Sequence, residues 1–285
     1  MKNQIKYYLK KLKLNYQKNI QSYEMSKFQI KNEEFAEIIK KNREYLKSIE
    51  TFLTNDQFEK IDYGIPKNLF KYIDYDINNY PTYTDLIIFM SKFIKKQNIN
   101  YLEIGVSVMK NYLQIANQFN NSLIVGFDNN DLNPNFEYLF RQENSFLSKS
   151  KIKSNDLIYF KGDLLSKKDT KLFKELNTKY DLIFSDALHT KEGVQAEYEN
   201  IIKNSLSDEF ILYFDDLDFP DLFEASKDIY DDLKNEYKEL FFYSFDINGW
   251  MGEHEKFHTN GFISSLNFKT IFENEKIKLK NFKSI

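Results

Sequence analysis

Residues 100–128 read NYLEIGVSVMKNYLQIANQFNNSLIVGFD. The stretch opens on a short apolar run, Asn100-Tyr-Leu-Glu-Ile, and turns at Gly105. It carries helical spacing from Val108 to Phe119 and closes with a second apolar run, Ser122 to Phe127, ending at Asp128. Two short strands around one helix make a βαβ unit, whose strands run parallel.

The alternation continues downstream. Helices are expected over 135–146, 168–178, 193–206 and 222–237. Strands are expected at Asp156–Phe160, Tyr180–Phe184 and Phe210–Phe214. Two further strand-like runs, 240–245 and 261–266, have no helix between them and predict an antiparallel pair closing the sheet edge. The fold class is therefore α/β: a Rossmann-like core of five parallel strands plus a terminal antiparallel pair.

Upstream the texture differs. Phe35, Ile38, Ile39, Tyr45, Leu46, Ile49 and Phe52 recur at helical spacing, and the only glycine of the first hundred residues is Gly64, near Pro66. The break falls near Tyr80-Pro81. The expected division is an N-terminal helical region over 1–79, the core over 80–270 and a tail over 271–285.

Composition narrows the function classes. With 285 residues and 42% hydrophobic content, a sizeable core is available. A net charge of -3 weighs against nucleic acid as the main ligand, because phosphate binding needs a basic surface. The absence of cysteine excludes disulfides, thiolate metal sites and a cysteine nucleophile. No apolar run reaches membrane-spanning length, and the Lys-interrupted start lacks a signal peptide's apolar stretch, so a cytoplasmic protein is expected. A basic amphipathic helix over 4–18 either touches a membrane surface or packs on its own protein. The N-terminal helices are also plausible homo-oligomer contacts.

In an open parallel sheet, ligands sit outside the carboxyl ends of the strands. Every expected strand places an acid there: Glu103, Asp128, Asp163, Asp186, and the pair Asp215-Asp216. Clustered carboxylates are costly unless a cation or hydrogen-bond donors meet them. Glu103-Ile-Gly105-Val-Ser107 reads as a strand-to-ligand turn in which glycine admits close backbone approach. Asp128 stands where nucleoside-binding folds bond ribose hydroxyls, a device shared with nicotinamide enzymes. Asp163 is either a nucleoside contact or a loop cap. Asp186 opposite Asp215-Asp216 forms an oxygen-rich site suited to Mg²⁺ or Mn²⁺. His189, three residues beyond Asp186, is placed for general-base work. The opposing reading makes His189 a helix-start residue and Asp215-Asp216 a solvated loop.

Glu103-Ile-Gly105-Val-Ser107 resembles the first motif of class I S-adenosylmethionine-dependent methyltransferases, although Met109 and Lys110 stand where that family has further glycines. The run Ser185-Asp-Ala-Leu-His-Thr-Lys-Glu-Gly-Val with Phe214-Asp-Asp resembles the metal-dependent O-methyltransferases of this class, nearest those that methylate sugar hydroxyls on macrolides. The resemblance covers about residues 80–270. It implies S-adenosylmethionine held by Glu103, Gly105, Ser107, Asp128, Asp163 and Asp186. It also implies a divalent metal on Asp186, Asp215 and Asp216, with His189 as base and a sugar or glycan-like small molecule as acceptor. The loop Asn248-Gly-Trp250-Met-Gly-Glu-His254-Glu-Lys-Phe-His258 is either an acceptor-binding lid, through Trp250, His254 and His258, or a hairpin turn. Tyr80-Pro-Thr-Tyr83 is either a flap over the cofactor or a linker.

Two other classes compete. A nicotinamide-dependent oxidoreductase predicts G-x-G-x-x-G after the first strand, which the sequence lacks. A non-catalytic S-adenosylmethionine-fold interaction subunit predicts partner binding without turnover. A nucleic-acid amino-methyltransferase predicts an Asn-Pro-Pro-Tyr-type tetrapeptide, which is absent.

Overall fold

A computed structural model describes residues 29–53, 81–248 and 257–285. The elements, in chain order, begin with strand β1 (Gln29–Ile30), helix α1 (Glu33–Ile49), helix α2 (Tyr83–Ser91), strand β2 (Asn100–Ile104) and helix α3 (Lys110–Gln118). Next come β3 (Leu123–Asp128), β4 (Arg141–Gln142), β5 (Leu147–Ile152), β6 (Asn155–Lys161), α4 (Lys167–Lys174) and β7 (Tyr180–Ser185). They end with α5 (Lys191–Glu197), β8 (Leu206–Phe214), α6 (Pro220–Leu233), β9 (Phe241–Asn248), β10 (Phe257–Ser264), α7 (Phe268–Asn274), β11 (Ile277–Lys278) and β12 (Lys280–Ser284). The expected helix at 4–18, Gly64, Pro66, Tyr80, Trp250 and His254 lie outside the described residues.

The main sheet runs β12-β9-β10-β8-β7-β2-β3-β6-β5-β4 among the described residues. Its centre, β6-β3-β2-β7-β8, is parallel throughout. β10 joins β8 antiparallel and β9 joins β10 antiparallel, the pair expected from sequence. The fold is thus the Rossmann-like α/β arrangement, with strand order reversing beside β2.

The parallel strands are buried on both faces, as near-continuous apolar runs demand. Successive residues feed opposite cores. Tyr101, Leu182, Phe184, Ile211 and Tyr213 meet Phe35, Phe89, Tyr112 and Phe268 on the α1–α2–α3–α7 side. Leu102, Ile104, Ile183, Leu212 and Phe214 meet Phe173, Val194, Leu222 and Ile229 on the α4–α5–α6 side. Five of the helices start where a side chain satisfies free N–H groups: Asn32, Thr82, Ser166, Thr190 and Asn267 accept from the first turns of α1, α2, α4, α5 and α7. Thr82 and Asp85 form a reciprocal capping box. Asp85 also receives the guanidinium of Arg43 at 2.7 Å and Asn42 Nδ2 at 2.7 Å, which fastens α1 to α2 inside the core.

The expected helix over 135–146 does not form. Pro134 opens a single 3₁₀ segment ending at Leu139, and the chain then enters β4 and β5. β5 pairs antiparallel with β6 through a two-residue turn at Lys153-Ser154, with Lys153 at φ 55°. Pairing along the otherwise open edge of β6 outweighs the weak helical pattern. The helix expected over 193–206 is α5 followed by one π turn, Tyr198–Ile202, and the run to 237 stops at Leu233. Residues 271–285 carry the end of α7, β11 against β1, and β12 on the outer edge of β9.

Candidate functional site

The turn after β2 decides the shape of the site. Gly105 adopts φ 89°, and a Cβ there would lie 2.1 Å from the carbonyl oxygen of Asp186. Only glycine fits between the ends of β2 and β7. Ser107 and Met109 also take left-handed conformations, φ 52° and 72°. Positions 105, 107 and 109 therefore hold the backbone of a glycine-rich loop although two of them carry side chains. Ordinary residues pay about 1–3 kcal/mol for that conformation, so the surroundings must enforce it. The Ser107 N–H donates to Asp128 Oδ2 at 2.7 Å. Its Oγ is buried without a partner.

A cavity of about 240 Å³ is lined by Gly105, Ser107, Phe127, Asp128, Asp163 and Asp186 among others. Asp128 closes β3; its Oδ1 accepts from the N–H and Nδ2 of Asn130 at 2.8 and 2.9 Å. Asp163 is exposed, and its Oδ1 accepts from Leu165 N–H at 2.8 Å, so it caps its own loop while lining the cavity. Glu103 does not line it. Its carboxylate is buried and accepts from Tyr101 O–H at 2.8 Å. Burial first, and the charge of Asp186 second among the raising causes, push Glu103 well above the usual carboxylate range.

Asp186 links this cavity to a second cluster. One group of possible ligand atoms comprises Asp186, His189 and Asp216, and another Asp215, Asp216 and His258; within each, the atoms lie within 4.8 Å of one another. His189 Nε2 is 3.4 Å from Asp186 Oδ1, and its Nδ1 is 3.7 Å from Asp216 Oδ2. His258 Nδ1 is 2.7 Å from Asp216 Oδ1. Burial raises Asp186, with its histidine neighbours opposing. Burial and the adjacent charge of Asp186 push Asp215 up to about 7. The hydrogen bond to His258 holds Asp216 low. His189 is raised to about 9, chiefly by its bond to Asp186. Burial works against a charged His258, yet Asp216 and Asp215 raise it to about 9. Three acids thus converge on one edge, with two imidazoles as the nearby positive charge. A carboxylate-rich donor set of this kind fits a hard divalent cation.

The structure places the described residues of two segments whose readings were open, 248–258 and 80–83. His258 lies in β10, not in a loop, and it faces the acid pair. Tyr83, read as part of a linker or flap, is buried, with its ring 6.5 Å from that of His258. Sequence reading missed Asn260, whose Nδ2 bonds Asp215 Oδ1, and Glu197, a buried acid receiving Ser185 Oγ and Leu188 N–H behind the Asp186 loop. Glu197, the last residue of α5, shares a helical face with Val194 and Ile201, which is a legible signal; Asn260 has none before the strand register is known.

No known family model matches the chain, and no curated protein does. Solved structures do. The MycE methyltransferase of the mycinamycin biosynthetic pathway, in complex with Mg and SAH, shares 15% identity over 42% of this chain and 28% of its own, with TM-score 0.32. CalS11, the TDP-rhamnose 3'-O-methyltransferase of calicheamicin biosynthesis, shares 16% identity over 66% of this chain and 84% of its own, with TM-score 0.37. A candidate O-methyltransferase from Klebsiella pneumoniae shares 10% identity over 78% of this chain and 94% of its own, with TM-score 0.46. The chain spans less than a third of the length of the MycE structures it matches. At these identities and scores the likeness carries no argument about activity.

Proposed function

We propose that this chain is an S-adenosylmethionine-dependent O-methyltransferase, assisted by Mg²⁺ or Mn²⁺, that methylates a hydroxyl of a sugar or glycan-like small molecule. One observation carries the reading: Asp186 both lines the cavity behind Gly105 and belongs to the acid and histidine cluster. A nucleoside-type pocket and a cation-type site therefore share a wall, as a reaction between a bound donor and a metal-held hydroxyl requires.

The cavity fits the cofactor on its own features. Gly105 leaves backbone exposed, Ser107 Oγ lacks a partner, and Asp128 stands at the ribose position of such folds. Asp186, Asp215 and Asp216 are the residues that would hold the cation, which supplies positive charge that lowers the pKa of an acceptor hydroxyl. With a cation meeting the acids that otherwise hold its imidazole protonated, His189, 35% exposed at the rim, would be placed to take the hydroxyl proton. The acceptor oxygen then forms the bond to the methyl carbon, and the carbon–sulfur bond breaks with its electron pair passing to sulfur. The products are a methyl ether, S-adenosylhomocysteine and a proton on His189.

The test is methyl transfer from labelled S-adenosylmethionine to a panel of nucleotide sugars and glycosides, with and without chelator. Labelled ether in the presence of Mg²⁺, lost on chelation and in Asp215→Ala, supports the reading. Transfer that is indifferent to both removes the metal role.

A further inference from the structure

The acid pair at the end of β8 is held from the neighbouring strand. β10 runs antiparallel to β8 with Gly261 opposite Phe214, which sets Asn260 beside Asp215. Asn260 and Tyr213 are both fully buried. Asn260 Nδ2 donates to Asp215 Oδ1, and Tyr213 O–H donates to Asn260 Oδ1 at 2.8 Å.

The direction of this chain follows from chemistry. The amide turns its NH₂ toward Asp215 Oδ1, a carboxyl oxygen that serves as acceptor. Its carbonyl oxygen then faces Tyr213, whose hydroxyl must donate. Asp215 Oδ1 also accepts the Asp216 N–H at 2.8 Å, and His258 Nδ1 stands 3.5 Å away. Oδ1 is therefore committed, while Oδ2 takes no hydrogen bond from the described residues.

We propose that Asn260 and Tyr213 are positioning residues that fix Asp215 as a one-oxygen ligand, offering Oδ2 to a divalent cation. This rests on the metal-site reading above. A carboxylate free to rotate would present either oxygen, or both, and bind with less geometric selection. Partners of this kind, one step behind a ligand, commonly govern metal affinity by 10–100-fold.

The test is titration of the full chain with Mn²⁺ alone, following free Mn²⁺ by electron paramagnetic resonance. Asn260→Ala is expected to raise the Mn²⁺ dissociation constant about 10–100-fold with one site per chain retained at saturation. Tyr213→Phe, which deletes a single oxygen atom and keeps the ring, is expected to shift it in the same direction by a smaller factor. If Asn260→Ala does not fold, Tyr213→Phe decides. Wild-type affinity in the folded variants overturns the positioning role alone. Loss of the site's capacity, rather than its affinity, assigns the pair to architecture and likewise overturns it. A wild-type chain that takes up no Mn²⁺ overturns the metal-site reading, and this proposal with it.

Discussion

Nδ1 of His258 lies 2.7 Å from Oδ1 of Asp216, joining side chains forty-two positions apart. The β8–β10 pairing creates the contact, and the contact sets a pH dependence. His258 is raised to about 9 in the folded chain against an ordinary value of 6.5. A group raised on folding stabilises fully below its unfolded value and loses that contribution as pH rises through its folded value. In metal-free buffer the unfolding free energy is therefore expected to fall between pH 6.5 and 9.5, by at most about 3 kcal/mol from this residue. Part of that figure belongs to the depressed Asp216, and the third-exposed His189 adds a smaller, solvent-screened share in the same window. Denaturant unfolding across this range should show a shallower slope in His258→Gln. An unchanged slope contradicts the account.

Glu197 also makes stability fall as pH rises, but at lower pH and as a penalty gained rather than a contribution lost. Burial pushes it up to about 7, with its bonds from Ser185 and Leu188 opposing. A carboxyl raised on folding carries no penalty below its unfolded value, near 4.5, and the full penalty above about 7. Glu197→Gln is expected to stabilise the chain at pH 8 by as much as about 3 kcal/mol and to change little at pH 4.5. The difference between those two pH values is the readout. Equal effects at both would mean that ionisation of Glu197 is not what burial opposes.

Arg43 and Asp85 are 3% and 0% exposed and pair at 2.7 Å. Removing one partner of a buried pair strands the other charge. Arg43→Met is expected to cost about 3–5 kcal/mol in urea unfolding, well above the effect of an exposed pair such as Lys41–Glu37. A loss below about 1 kcal/mol would show that Asn42 and the Thr82 cap suffice to hold Asp85.

The parallel core was legible because strands buried on both faces must be apolar at every position, as in Leu182-Ile-Phe184. The acids closing them were legible for the same reason, since each interrupts an apolar run. The β4–β5 hairpin was not. Leu147-Ser-Lys-Ser-Lys-Ile152 covers a sheet edge, half-buried with Lys149 and Lys151 exposed, so its only apolar residues are the two at its ends and the apolar signature is weak. The loop after β2 shows a different gap: its left-handed turns at Ser107 and Met109 are enforced by packing and the Asp128 bond, not by glycine. Asn260, and the contact of His258 with the acid pair, became visible only once the register of β10 on β8 was known.

The central claim is that the cavity shared with Asp186 takes an adenosyl cofactor. Isothermal titration of the full chain with S-adenosylhomocysteine, against NAD⁺ as the rival nucleoside ligand, tests it most directly. The account predicts saturable one-to-one binding of S-adenosylhomocysteine and no heat of binding with NAD⁺. Binding of NAD⁺ in its place, or of neither, would contradict it.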